Sequence, residues 1–160
     1  MKARYQYRLY PTNQEKRLLS QLFGCVRVVW NDTLAYCQEL YQQGEKKPKY
    51  TELSKRLTQI KKTKEKQWLT EVSSIPLQQS LRDLETAYSN FFASCKVEIK
   101  GNKVKPPKFK KRKYKQSARF TDNGFTVNQH HFTLAKIGDL KVIWSRPLPS
   151  NTKSCLKSIG

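Results

Sequence analysis

Apolar and polar positions recur along this chain with two different periods, and the change of period divides it. Leu77, Leu81, Leu84, Tyr88, Phe91 and Cys95 are spaced four, three, four, three and four, which lays them in one stripe along a helix running from Ser73 to beyond Phe92. Pro76 fits its first turn, where a missing N–H has no intrahelical partner to lose, and Ser73 or Ser74 supplies the N-cap. The opposite face carries Gln78, Arg82, Glu85 and Ser89. Gln78 is either simply solvated there or offers its amide to a base edge.

Upstream, Lys2 to Tyr10 alternates, with Ala3, Tyr5, Tyr7 and Leu9 on the inner side, as a half-buried strand does. Pro11 ends it, and Thr12 with Glu15 forms a capping box for a helix whose Leu18, Leu19, Leu22 and Phe23 face inward until Gly24. A stop is expected at that glycine. A second helix then carries Val26, Val29, Trp30, Thr33, Leu34, Cys37 and Tyr41 inward to a stop at Gly44, and the pair reads as an αα-hairpin or a helix-turn-helix-like unit. After the polar linker Glu45 to Lys49, a third helix opens at Tyr50 with Leu53, Leu57 and Ile60 in register. Its tail, Lys61 to Lys66, is nearly all charge, and Trp68-Leu69 is a short apolar plug.

Beyond about residue 116 the period becomes two. Residues 118–121, 125–127, 132–134 and 140–144 read as strands, joined by turns at 122–124, 128–130 and 137–139. The expected fold is α+β: a helical bundle inserted between the first and second strands of a small antiparallel sheet or partial barrel, which need not be complete. The expected segments are a first strand at 1–11, a helical part at 12–95, a loop at 96–117, the remaining strands at 118–149 and a tail at 150–160, where 154–160 starts a further strand.

Charge sharpens this outline. Thirty-two Lys and Arg against twelve Asp and Glu give +20, an imbalance that points to a polyanionic partner. Ten of the cations lie between Lys96 and Lys115, with only Glu98 against them, so +9 sits in a loop that Pro106 and Pro107 keep from being helical. Lys108, Lys110, Lys111, Arg112 and Lys113 are the expected phosphate contacts, and Val104, Phe109 and Tyr114 are groups that dock on protein or stack on bases. No apolar run approaches the roughly 18 residues of a membrane span, and no apolar signal core follows Met1, so no membrane partner and a cytoplasmic location are expected. Cys25, Cys37, Cys95 and Cys155 lie far apart without a C-x-x-C, so the first three read as small buried hydrophobes rather than zinc ligands or a disulfide frame. The acids are scattered, His130-His131 sits in a turn, and there is no phosphate-cradling glycine loop or nucleophile elbow, so no cofactor or metal is expected. These residues argue for a binding module. The oligomeric state leaves no mark in the sequence.

Several motifs in order resemble one family. They are Arg8-Leu9-Tyr10-Pro11 before a capped helix, Val28-Val29-Trp30-Asn31, Leu77-Gln78-Gln79-Ser80-Leu81 continuing to Leu84-Glu85-Thr86-Ala87-Tyr88 and Asn90-Phe91-Phe92, Pro107-Lys108-Phe109-Lys110-Lys111, and Phe120-Thr121 with Asn123. Together they resemble the N-terminal half of the TnpB/OrfB insertion-sequence transposases, RNA-guided DNA nucleases related to compact type V CRISPR effectors. The resemblance implies a β wedge domain, made of the first strand and the residues after about 116, interrupted by a helical recognition domain. It further implies guide RNA and double-stranded DNA as partners, base pairing supplying most of the specificity. By matching position, Tyr50, Ser54 and Gln78 fall on the recognition side of the target-adjacent duplex and Thr121 and Asn123 on the wedge side, while Ser74 stands where a relative has lysine. The family's nuclease domain, with its carboxylate metal ligands and zinc knuckle, would follow. The resemblance therefore implies a truncated copy without catalytic activity of its own.

Three other functions compete. A stand-alone helix-turn-helix DNA-binding protein needs base-reading side chains at the start of its recognition helix, and Cys25-Val26-Arg27-Val28-Val29 is too apolar for that. A small structural RNA-binding protein fits charge and size but not the motif order. A nuclease completed by a separately encoded domain is the third.

Overall fold

The computed structural model describes residues 5–96, 103–128 and 131–148, together with the backbone of the strand Cys155–Lys157. The start of the expected first strand, the 97–102 part of the basic run, Gln129 and His130, most of the tail and the Cys155 side chain lie outside the described residues.

Among the described residues the first strand, β1, is Arg8–Leu9, shorter than the alternation up to Tyr10 predicts. Its ladder is limited to Arg8 opposite Ile143 and Leu9 opposite Val142, extended by Tyr10 N–H donating to Lys141 O at 2.9 Å. The inward side of the alternation holds only in part: Tyr7 and Leu9 pack on the core, and Tyr7 meets Trp144 edge to face with ring centroids 4.9 Å apart, whereas Tyr5, also expected inward, is exposed and Ala3 lies outside the described residues.

The two helices expected on either side of Gly24 are one helix, α1, Asn13–Gln42, 30 residues long. The capping box forms as expected, with Glu15 N–H donating to Thr12 Oγ1 and Thr12 N–H to the Glu15 carboxylate at 2.7 Å. Gly24 does not end the helix because the apolar stripe does not stop there. Leu22, Phe23, Cys25, Val26, Val29, Trp30, Thr33, Leu34 and Cys37 are buried in continuous 3–4 spacing, and that burial outweighs the ~1 kcal/mol penalty of an internal glycine. The real stop is at Gly44, whose φ of 79° only glycine adopts without strain and whose N–H donates to Tyr41 O. Tyr41, expected inward, is 79% exposed, because nothing covers the last turn of the stripe.

The third expected helix is α2, Tyr50–Ile60, buried through Leu53 and Leu57, and the plug is a 3-10 turn, Gln67–Glu71, with Leu69 buried. The organising helix is α3, Ser74–Lys96, and Ser73 Oγ accepts from Ile75 N–H at its start. Leu77, Leu81 and Leu84 are wholly buried, but the stripe emerges further on, and Cys95 is exposed rather than buried. Cys25 and Cys37 are the buried thiols, and burial pushes Cys25 up to about 11.

The strands that follow are β2 Ser117–Arg119, β3 Phe125–Val127, β4 His131–Leu134, β5 Gly138–Ile143 and β6 Cys155–Lys157. Strands β3, β4 and β5 form an antiparallel meander to which β1 adds, in the order β1-β5-β4-β3, while β2 pairs with β6 in a separate ribbon. The architecture is thus α+β with an open four-stranded sheet, and in the chain the helices come between β1 and β2. The turn expected at 137–139 lies two residues earlier, at 135–137, so that Gly138 and Asp139 already belong to β5. One apolar cluster runs without a break from Leu22, Leu57 and Leu77 of the helices to Phe120, Phe132 and Leu140 of the strands.

Candidate nucleic-acid interface

The basic loop is extended, as the two prolines require, but it is strapped to the protein. Trp30 and Asn31 stand side by side on α1 and hold its backbone: Trp30 Nε1–H donates to Lys108 O at 2.9 Å, Asn31 Nδ2 donates to Lys110 O at 3.0 Å, and Asn31 Oδ1 accepts from Lys110 N–H at 2.8 Å. Further along, the Gln116 amide donates to the carbonyls of Lys111, Arg112 and Tyr114, and its oxygen accepts from Arg27 of α1 at 3.1 Å. At the other end Val104 N–H donates to Ser94 Oγ of α3. A segment with no regular structure is therefore tied through part of its backbone to two helices.

This strapping sorts the five expected phosphate contacts. Lys108, Lys111, Arg112 and Lys113 are exposed. Lys110 turns inward, its ammonium 4.0 Å from the centre of the Trp30 ring. Burial pulls Lys110 below the ordinary lysine value, with Asp83 acting the other way. Asp83 pairs with Arg119 of β2 at 2.6 Å, and burial raises its carboxyl against the pull of Arg119 and Lys110. Phe109 and Tyr114, 47% and 56% exposed, stand among the cations and are open to stacking.

A second surface runs along α3. Ser74, Gln78 and Arg82 are exposed and four residues apart, hence one above another over about 12 Å. Arg82 lies over the Tyr50 ring at 4.1 Å, and Tyr50 N–H donates to Glu85 Oε1 at 3.2 Å, so the start of α2 is seated beside the middle of α3, at Arg82 and Glu85. Ser54, one turn on in α2, is half-buried. At the other end of the ridge the 3-10 turn Asp122–Gly124, preceded by Thr121 and carrying exposed Asn123, lies against Ile75: a Cβ on Gly124 would stand 3.1 Å from Ile75 Cδ1 and 2.8 Å from Phe120 Cδ1. The chain thus brings Ile75, next to Ser74 in the first turn of α3, against the turn that carries Asn123, and Tyr50 against Arg82, although these residues are far apart in sequence.

Sequence reasoning assigned no part in holding the loop to Trp30, Asn31, Arg27, Gln116 or Ser94, side chains that do so. One signal was legible: Trp30 on a buried stripe carries an N–H that needs a partner. Arg82 was placed on the correct face, but its stacking on Tyr50 depends on how α2 docks.

Several carboxylates are engaged in the fold. Asp32 accepts from Arg56 at 2.6 Å and from Lys66; burial would raise its carboxyl, but those hydrogen bonds outweigh it and hold Asp32 below the usual range. Among the described residues no group of three or more His, Cys, Asp or Glu is placed to hold a metal ion, and no helix is long and apolar enough to cross a membrane.

An α+β chain with a cationic loop tied to α1 and an exposed polar ridge on α3 has the build of a nucleic-acid-binding module. Comparison with known proteins identifies the kind. Residues 1–46 match the helix-turn-helix domain of the OrfB/IS605 group, a stretch that in this structure comprises β1, α1 and the turn after it. Over 96% of its length the chain is 41% identical to a Streptomyces pristinaespiralis protein named "Putative RNA-guided DNA endonuclease", and over 94% it is 32% identical to the Escherichia coli K12 "Putative RNA-guided DNA endonuclease InsQ". It carries the OrfB helix-turn-helix domain and is related to proteins of the TnpB/OrfB kind, as its motifs led us to expect. The chain spans 37% and 36% of the length of these two relatives.

Proposed function

We propose that these 160 residues are the nucleic-acid-binding portion of a transposon-encoded RNA-guided nuclease, engaging guide RNA and target-adjacent duplex DNA in the cytoplasm. On this reading Lys108, Lys111, Arg112 and Lys113 contact phosphates, while Tyr50, Ser54, Ser74, Gln78, Thr121 and Asn123 face the duplex beside the target. A helical recognition part and a β wedge part correspond to residues 12–95 and to the first strand with 118–149. The observation that carries the proposal is the basic loop, pinned to α1 by Trp30 and Asn31 with four of the five expected phosphate contacts turned to solvent. The names of the two relatives agree with it.

The stretch is proposed to bind rather than to cleave. Two-metal phosphodiester hydrolysis needs converging carboxylates, whereas here Asp32, Asp83 and Glu15 are occupied by Arg56 and Lys66, by Arg119 and by the α1 cap. A stand-alone helix-turn-helix regulator has less support, since α1 is continuous where that reading needs a turn.

The test is binding of the purified chain to RNA derived from the end of the insertion element, against unrelated RNA and duplex DNA, over a salt series. The end-derived RNA should bind most tightly. Changing Lys108, Lys111, Arg112 and Lys113 to Gln should weaken binding and flatten the dependence of log K on log salt by about 3, at ~0.7–0.9 for each phosphate no longer neutralised. Unchanged affinity and slope would remove the loop from the interface.

A further inference from the structure

A loop with this many cations has strong reasons to be mobile. Its charges repel one another, its prolines preclude helix, and an unstructured segment must lose conformational freedom when it binds. Here that ordering is already present in the free chain. Asn31 makes a two-point clamp on Lys110, accepting from its N–H and donating to its carbonyl, as a neighbouring strand would. Trp30, 8% exposed, fixes Lys108 O from the adjacent position, and its ring takes the Lys110 ammonium. Removing Lys110 from the exposed set lets the chain cross α1 at that point while Lys108 and Lys111 flank the anchor on the open side. Gln116 closes the far end by gathering three carbonyls under one amide.

We propose that Trp30 and Asn31 are positioning residues for phosphate binding: they hold the 108–113 backbone on α1, so that Lys108, Lys111, Arg112 and Lys113 form a preorganised track for a nucleic-acid backbone. The inference rests on the function proposed above, and it adds that the affinity of the loop depends on its order as well as its charge. An ordered loop loses little freedom on binding, while a released loop carrying the same charges must lose it at that step.

Two variants leave all loop cations in place. Asn31→Ala removes the two-point clamp, and Trp30→Phe removes the N–H to Lys108 O but keeps an aromatic ring in the core. Each is compared with the wild type and with the four-Gln loop variant for binding to a random-sequence 20-base-pair duplex across a salt series, with thermal unfolding and hydrogen exchange at the Lys110 amide followed in parallel. Asn31→Ala should speed exchange at Lys110 and weaken binding by about tenfold at every salt concentration, with the salt slope unchanged because the same cations still displace counterions. Trp30→Phe should weaken binding less, by about threefold, also at constant slope. Wild-type affinity in Asn31→Ala with fast Lys110 exchange would overturn the inference, as would a loss of binding that only tracks a fall in unfolding temperature. If the four-Gln variant binds like the wild type, the proposed interface itself fails, which is a separate result.

Discussion

Asp32 shows how one residue on α1 sets the position of two other segments. It accepts from Arg56 of α2 and from Lys66 just before the 3-10 turn at Gln67, and the three side chains are about three-quarters buried. Removing the carboxylate leaves two cations facing each other in partly buried surroundings, so Asp32→Asn should lower the unfolding free energy by about 1–2 kcal/mol at pH 7. The sign of the pH dependence follows from the depressed carboxyl. The stabilisation is fully present above the unfolded value of about 3.9 and is lost as pH falls through the lower folded value. Urea denaturation of both proteins should therefore show a gap at pH 7 that closes toward about pH 3. A gap of the same size at both would assign the effect to packing instead of charge.

At the scale of the element, the continuity of α1 is the finding most at odds with the sequence pattern. Gly24 has no positive φ, and a Cβ placed there meets nothing within 4 Å, so the position is an ordinary helical one without a side chain. Gly24→Ala should stabilise the protein by about 0.5–1 kcal/mol, because alanine restricts the unfolded chain and favours helix. Gly44→Ala should destabilise it by about 1 kcal/mol, because the left-handed backbone there disfavours a Cβ. Thermal unfolding measured on the pair checks both signs, and a destabilised Gly24→Ala would restore a break in the helix. Continuity also carries Trp30 and Asn31 on the same rigid element as the buried Leu22 and Val26, which is why the loop anchor has a firm base.

Across the whole molecule, the helices and strands meet in a shared core, and a tight seam between them lies at Gly124. Any side chain there would collide with Phe120 and Ile75, neither able to move far, since Phe120 is wholly buried and Ile75 lies in the first turn of α3. Gly124→Ala should destabilise by about 1–3 kcal/mol through overpacking, and should shift the Thr121–Asn123 turn away from the α3 ridge. The expected readouts are a lower unfolding midpoint and a reduced discrimination between end-derived RNA or target-adjacent duplex and unrelated nucleic acid, with the salt slope kept. A variant as stable as the wild type would mean that the seam is looser than the contact distances imply.

The sequence by itself determined the elements with repeating chemistry. The α3 stripe through Leu84, the α1 capping box, the stop at Gly44 and the alternation of β3, β4 and β5 were legible because each depends on neighbours within a few residues. The cationic character of the 96–115 run and the motif order that leads to the OrfB group were legible for the same reason. What only the tertiary structure decided depends on residues far apart in the chain. The glycine at 24 continues a helix because burial on both sides outweighs a local penalty, and the described part of β1 is short because it meets β5 only at its last residues, β5 ending at Ile143 opposite Arg8. Cys95 and Tyr41 are exposed because their stripes outrun the surfaces that would cover them. Whether a basic loop is a free tract or a fixed track could not be read from its own residues, since the side chains that hold it, Trp30 and Asn31, lie about eighty positions away and hydrogen-bond to its backbone, whatever its side chains are.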